Sequence, residues 1–188
     1  MPNWCYTSYV CVGNKKEVYD LYEKMLDLTE RNTSLTVNDF GKEWVGNLIV
    51  RLGGNWKEIS CRGEFGGLDF EDGILRFFIM SAWVELSDVR KFIESYYVNL
   101  KMYYYAEEPG CSYYITNDVM GYFFPDRYIL GIEDDDDMYF EHLEDLFTAI
   151  ETMTGLICKS EDDIERILDT GNGRLLSFNQ IVVDHFNL

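Results

Sequence analysis

Apolar and polar positions alternate most clearly over residues 74–83 (ILRFFIMSAW), which hold one charge, no Gly or Pro, and many β-preferring side chains. Leu75, Phe77, Ile79 and Ser81 fall on one face of the predicted strand, and Arg76, Phe78, Met80 and Ala82 on the other. Both faces are mostly apolar, which predicts a central, well-covered strand. Val89, Phe92, Ile93, Tyr96 and Tyr97 then recur at helical spacing. Residues 99–107 return to alternation, with Leu100, Met102, Tyr104 and Ala106 against Lys101, Tyr103, Tyr105 and Glu107. A helix this short is marginal alone in water, so its stripe must lie on the sheet that the two strands share.

The same reasoning runs along the rest of the chain. Residues 3–13 predict an opening strand with Cys5, Thr7, Tyr9 and Cys11 on one face, and Gly13-Asn14 signals a turn. Residues 15–31 predict an amphipathic helix through Val18, Leu21, Tyr22, Met25 and Leu26. Residues 32–55 read as an insert. Within it, 42–52 suit a short helix with Trp44, Leu48 and Leu52 on one side, the alternative being a strand over 47–52. Residues 56–65 predict a strand, and a loop bracketed by Gly66-Gly67 and Asp72-Gly73 closes a hairpin into residue 74. The order β-α-insert-β-β-α-β is the ferredoxin-like pattern, with helices on one face of an antiparallel sheet.

Beyond the turn at Glu108-Pro109-Gly110, residues 111–116 and 122–132 predict two strands that extend the sheet. Pro125 marks the second as an edge strand or a bulge. Residues 133–137 (EDDDD) precede a predicted helix over 138–154 with Phe140, Leu143, Phe147, Ile150 and Met153 as its stripe, and carboxylates suit a helix start. A connector or short strand at 156–159 leads to Ser160, which caps a short helix with Asp163 three residues on. Ile164, Ile167 and Leu168 are its apolar side, and Gly171-Asn172-Gly173 ends it. Residues 175–186 dock as strand or helix. The predicted class is α+β: a ferredoxin-like domain over residues 1–130 with an insert at about 32–55, and an acidic α/β extension over 131–188 packed on the same core.

Charge changes the picture most. The chain carries 34 acidic against 16 basic side chains, a net of -18. From Gly131 onward there are 15 acidic and 3 basic residues. Such a balance disfavours phosphate backbones, which need Lys and Arg to release counterions, and disfavours anionic membranes. It favours a basic protein partner, or solubility alone. The five cysteines are scattered with no C-x-x-C pair and lie far from His142 and His185, so no zinc site is expected and the thiols read as reduced, in a cytoplasmic protein. Neither a signal peptide nor a membrane span is expected.

Three segments together resemble a known family: Pro2-Asn3-Trp4-Cys5, Ser81-Ala82-Trp83, and Tyr105-Ala106-Glu107-Glu108-Pro109-Gly110. They look like proteins with a YubB-type ferredoxin-like domain from bacterial plasmids, phages and integrated mobile elements, over roughly residues 1–121. Members of that family carry a Pro-containing stretch after the A-W strand end, where this chain has Val84-Glu85-Leu86. Of the family's Trp and Gly pattern in the insert, it keeps Gly41-Lys42-Glu43-Trp44. The family has no established activity, so the resemblance implies a fold and a mobile-element setting and adds no catalytic residue.

Candidate chemistry is sparse. Cys5 has no neighbouring base in sequence to activate it, and Trp4 suits a packing anchor. Glu107 and Glu108 stand at a strand end beside a tight turn, where Tyr103, Tyr105, Tyr113 and Tyr114 could line a pocket, but adjacent strand residues point to opposite faces and cannot form a glycosidase pair. Asp134, Asp135, Asp136 and Asp137 lack the spacing and Gly of a calcium loop, and suit a solvated patch for a basic partner. His142 is adequately a surface residue. His185 could pair with Asp184, but spacing places no nucleophile for a triad. Tyr103, Tyr104 and Tyr105 could stack bases, against the charge. No cofactor and no metal ligand is singled out. The functional expectation is a non-catalytic interaction protein, in sharper form an acidic nucleic-acid mimic. The rivals are a small-molecule binder or enzyme using Tyr103, Tyr105, Glu107 and Glu108, and a subunit that oligomerises through an edge strand at 122–130.

Overall fold

The computed structural model describes residues 3–171 and 175–185. It is an α+β protein with antiparallel and parallel strand pairing. The chain divides into two compact units, Met1–Tyr113 and Tyr114–Leu188.

The first unit runs β1 (Trp4–Gly13), α1 (Lys15–Glu30), α2 (Val45–Arg51), β2 (Gly63–Glu71), β3 (Ile74–Ala82), α3 (Ser87–Tyr96), β4 (Leu100–Glu108) and a 3-10 turn (Pro109–Cys111). Its strands lie in the order β2-β3-β1-β4, each antiparallel to its neighbours. Strand alternation gives one buried face: Cys5, Thr7, Tyr9 and Cys11 from β1, Leu75, Phe77, Ile79 and Ser81 from β3, and Leu100, Met102, Tyr104 and Ala106 from β4. Helix α1 buries Val18, Leu21, Met25 and Leu28. Leu28 takes the place expected of Leu26, and Tyr22 stacks on Phe70 with ring centroids 5.2 Å apart. The insert holds a helix and not a strand, with Trp44, Leu48 and Leu52 buried.

Three readings are corrected in this unit. Residues 56–62 form no strand; β2 begins at Gly63 and runs through the two glycines that signalled a loop. The glycines form a bulge there, because a Cβ on Gly66 would stand 2.8 Å from the Phe78 ring. The hairpin turn is Asp72-Gly73 alone, both with positive φ (53° and 84°), as a two-residue turn requires. Strand β3 is central, but only one face is buried; Arg76 is exposed and Phe78, Met80 and Ala82 are half-buried.

The chain passes from the first unit to the second in β5 (Tyr113–Thr116), and the second unit continues with β6 (Tyr128–Ile132), β7 (Met138–Phe140), α4 (Leu143–Thr154), α5 (Glu161–Asp169), β8 (Leu175–Gln180) and β9 (Val182–Val183). Strand β9 pairs in parallel with β5, and β6 lies between β7 and β8 in a separate three-stranded sheet. Leu130, Leu146, Ile150, Cys158, Ile164 and Ile167 form its buried cluster. The loop before β6 closes on itself: Asp118 accepts the Phe123 and Phe124 N–H groups at 2.6 and 3.0 Å, and Arg127 donates to the Asp118 carbonyl at 2.9 Å and the Phe124 carbonyl at 2.7 Å. Residues 122–127 are therefore no strand, and Pro125 lies in this loop.

The acidic run is also corrected. Residues 133–137 are the connection of the β6–β7 hairpin and start no helix. Met138 and Phe140 pair with Leu130 and Tyr128, which withdraws the first turn of the expected helix into a strand. Helix α4 begins only at Leu143, with Glu144 and Asp145 in its first turn. Because β6 is interior to its sheet, residues 122–130 offer no edge for oligomerisation. Asn172, Gly173 and Phe186, named above, and the Pro2 of the opening motif lie outside the described residues.

Candidate functional site

Antiparallel pairing brings residues 3–5, 81–83 and 105–110 to one end of the first unit's sheet. The start of β1 meets the ends of β3 and β4: Trp4 pairs with Ala82, Cys5 with Ser81, and Tyr6 with Glu107. Asn3 joins all three. Its carbonyl accepts the Trp83 N–H at 3.0 Å, and its side-chain amide donates to the Cys111 sulfur at 3.5 Å.

Trp83 is held at φ 75°, a left-handed conformation that a bulky residue rarely adopts. Neighbouring bonds impose it: the one from Asn3, and a tight turn in which Ser81 Oγ donates to the Val84 carbonyl at 2.7 Å. The turn leaves the indole 48 % exposed beside a cleft of about 320 Å³ lined by Arg62, Glu85 and the first residues of α3. Glu85 is buried and anchors a polar network. Its carboxylate accepts the Tyr9 hydroxyl at 2.9 Å and the Arg90 Nε–H at 3.0 Å. Arg90 lies 4.8 Å over the Tyr104 ring and 3.7 Å from the Glu94 carboxylate. Burial opposes the Arg90 charge, and Glu85, Tyr104 and Glu94 more than offset it. Burial and Glu85 push the Tyr9 hydroxyl well up. Burial also raises the Cys5 thiol, and Glu85 and Glu108 add to it, so Cys5 is poorly suited to act as a nucleophile.

Glu107 and Glu108 point to opposite faces of β4, as strand geometry demands. Glu107 is half-buried and accepts the Tyr105 hydroxyl at 2.8 Å. Glu108 is buried on the helix side and accepts the Gly110 N–H at 3.2 Å. The Cys111 thiol, the Asn3 amide and the Gly110 and Cys111 N–H groups hold its carboxyl below the usual range, and the same carboxylate holds the Cys111 thiol up. Tyr103 and Tyr105 share the less buried face with Tyr6, which stacks on Phe78 at 5.2 Å. The Lys101 ammonium lies 4.9 Å over the Tyr103 ring. Tyr104 and Tyr114 are buried, so the tyrosine run is split between faces and forms no continuous stacking platform.

The acidic residues lie elsewhere. Asp134, Asp135, Asp136 and Asp137 are all exposed at the β6–β7 connection, and Asp134 has φ 59°. Asp135 accepts the Asp136 N–H at 2.9 Å. Among the described residues no group of three His, Cys, Asp or Glu is placed to hold a metal ion. His142 is the residue just before α4, 4.0 Å from Glu141, and His185 is exposed. No helix among the described residues is long and apolar enough to cross a membrane.

The sequence assigns no role to Glu85 or Arg90, and marks Trp83 only as the end of a motif segment. The signal for Arg90 was present: it stands four residues after Leu86 and three before Ile93, on the apolar stripe of α3. The signal for Trp83 was absent, because its conformation depends on Asn3, eighty residues away in the chain. In comparisons with known proteins, the chain matches no family model, no curated protein and no solved structure.

Proposed function

We propose that the chain is a non-catalytic binding protein that presents the acid of its C-terminal unit to a basic protein partner. The observation that carries this is the uneven charge. Residues 114–188 hold 17 acidic and 4 basic side chains, whereas residues 1–113 hold 17 and 12. The exposed run Asp134–Asp137 at the tip of a hairpin supports the reading, because all four residues are exposed and none stands at a helix start. A nucleic-acid mimic, occupying the basic groove of a nuclease or DNA-binding protein, is the sharper form of the same reading. Affinity capture with tagged protein at low salt, then a salt step, tests it. Basic proteins should leave in the salt-eluted fraction, and a partner that stays bound through the step would count against it.

The first unit is, on this reading, a ferredoxin-like domain of the YubB type, from a cytoplasmic protein of a mobile element. The all-antiparallel order β2-β3-β1-β4 supports the fold, and the meeting of the three motif segments at one sheet end supports the resemblance. A second reading, a small-molecule site, is favoured by the Trp83 cleft. Under it, a compound library would shift the melting temperature of the wild type and not of Trp83→Gly.

A further inference from the structure

The C-terminal unit also carries an apolar surface, which its charge makes conspicuous. Helix α4 ends at Gly155 (φ 71°), and the connector that follows places Leu156 and Ile157 in solvent, 40 % and 66 % exposed. With Ile167 of α5 and Thr170, the residue just past its end, they line a groove of about 450 Å³. Two large aliphatic side chains so exposed gain free energy from any partner that covers them. Exposed carboxylates of α5, Glu161, Asp162, Glu165 and Asp169, stand on the same helix as the groove wall. Arg166, the one cation among the described residues that line the groove, is engaged by Asp163 at 2.6 Å.

We propose that this groove takes the apolar side of a basic amphipathic helix supplied by the protein partner. The inference rests on the acidic-surface reading and adds to it the form of the partner. An apolar floor beside carboxylates is complementary to a helix with Leu-like residues at i, i+3, i+4 and i+7 and Lys or Arg on the remaining positions. An anionic lipid surface would meet the same apolar residues, but the unit's negative charge repels it.

The test uses the full chain and two synthetic peptides of about 14 residues made of Leu and Lys only, one with Leu at helical spacing and one scrambled to equal composition. Each is titrated calorimetrically at low salt. The patterned peptide should bind about tenfold tighter than the scrambled one. Leu156→Ser and Ile157→Ser, both at exposed positions that leave the buried cluster intact, should bring that ratio close to one. Equal binding of the two peptides to the wild type, or a ratio untouched by Ile157→Ser, overturns the groove while leaving the acidic reading in place. Failure of both peptides to bind overturns the two together.

Discussion

Arg90 carries a full charge into the core of the first unit, its side chain 1 % exposed and its Nε on Glu85. Removing one member of such a pair is far costlier than removing both. Arg90→Met should lose about 3–5 kcal/mol in urea denaturation, and Glu85→Gln with Arg90→Met should recover a clear part of it. A double variant no more stable than the single would show that packing, and not charge, holds this region. At Trp83 the left-handed backbone is the determinant. Trp83→Gly should be more stable than Trp83→Val by about 1–2 kcal/mol, since the branched side chain tolerates positive φ least; equal stability would contradict the imposed turn. Asp20 gives the pH prediction. Burial pushes its carboxyl up, but the hydrogen bonds from Lys24 and Tyr97 outweigh this and leave it below the usual range. A depressed carboxyl stabilises above its unfolded value and loses that contribution as pH falls through the folded one. The advantage of wild type over Asp20→Asn should be full above about pH 4 and decline below it, as pH falls through the depressed folded value. A difference that persists in stronger acid would contradict the assignment. At this scale the sequence is least legible where partners come from afar: Trp83 is bonded by Asn3 and Glu85 by Tyr9, pairings that strand register sets and periodicity does not encode.

Elements with a sustained period were legible. Strands β1, β3 and β4 and helices α1 and α3 appear close to where alternation or helical spacing put them, because each has one face to bury. Strand β2 was displaced because glycine signals a turn locally, whereas here Gly66 and Gly67 make room for Phe78. Strand β7 falls where the pattern predicts helix, because three residues are too few to show a period and its pairing with β6 is a tertiary fact. The capping box of α5 was readable from Ser160 and Asp163 alone. The Ser160 oxygen accepts the Asp163 N–H at 3.2 Å, and the Ser160 hydroxyl donates to the Asp163 carboxylate at 3.0 Å. Ser160→Ala should cost about 1 kcal/mol, read by chemical denaturation, and a neutral result would mean that α5 is held by Ile164 and Ile167 without its cap.

For the whole molecule, composition located the acid and the structure changed what the acid can do. At a helix start, residues 133–137 would have been explained by the macrodipole. At the tip of a hairpin they face no helix dipole, all are exposed, and the acid is open to an external cation. The division after Tyr113 sharpens the asymmetry, since the first unit balances most of its charge and the second does not. The most direct measurement is the salt dependence of affinity for the captured partner, compared between the wild type and a variant with Asp134→Asn, Asp135→Asn, Asp136→Asn and Asp137→Asn. The account predicts that the wild type loses affinity steeply as salt rises, and that the variant binds more weakly at low salt with a shallower slope. Equal affinity and equal slope for the two proteins would contradict it.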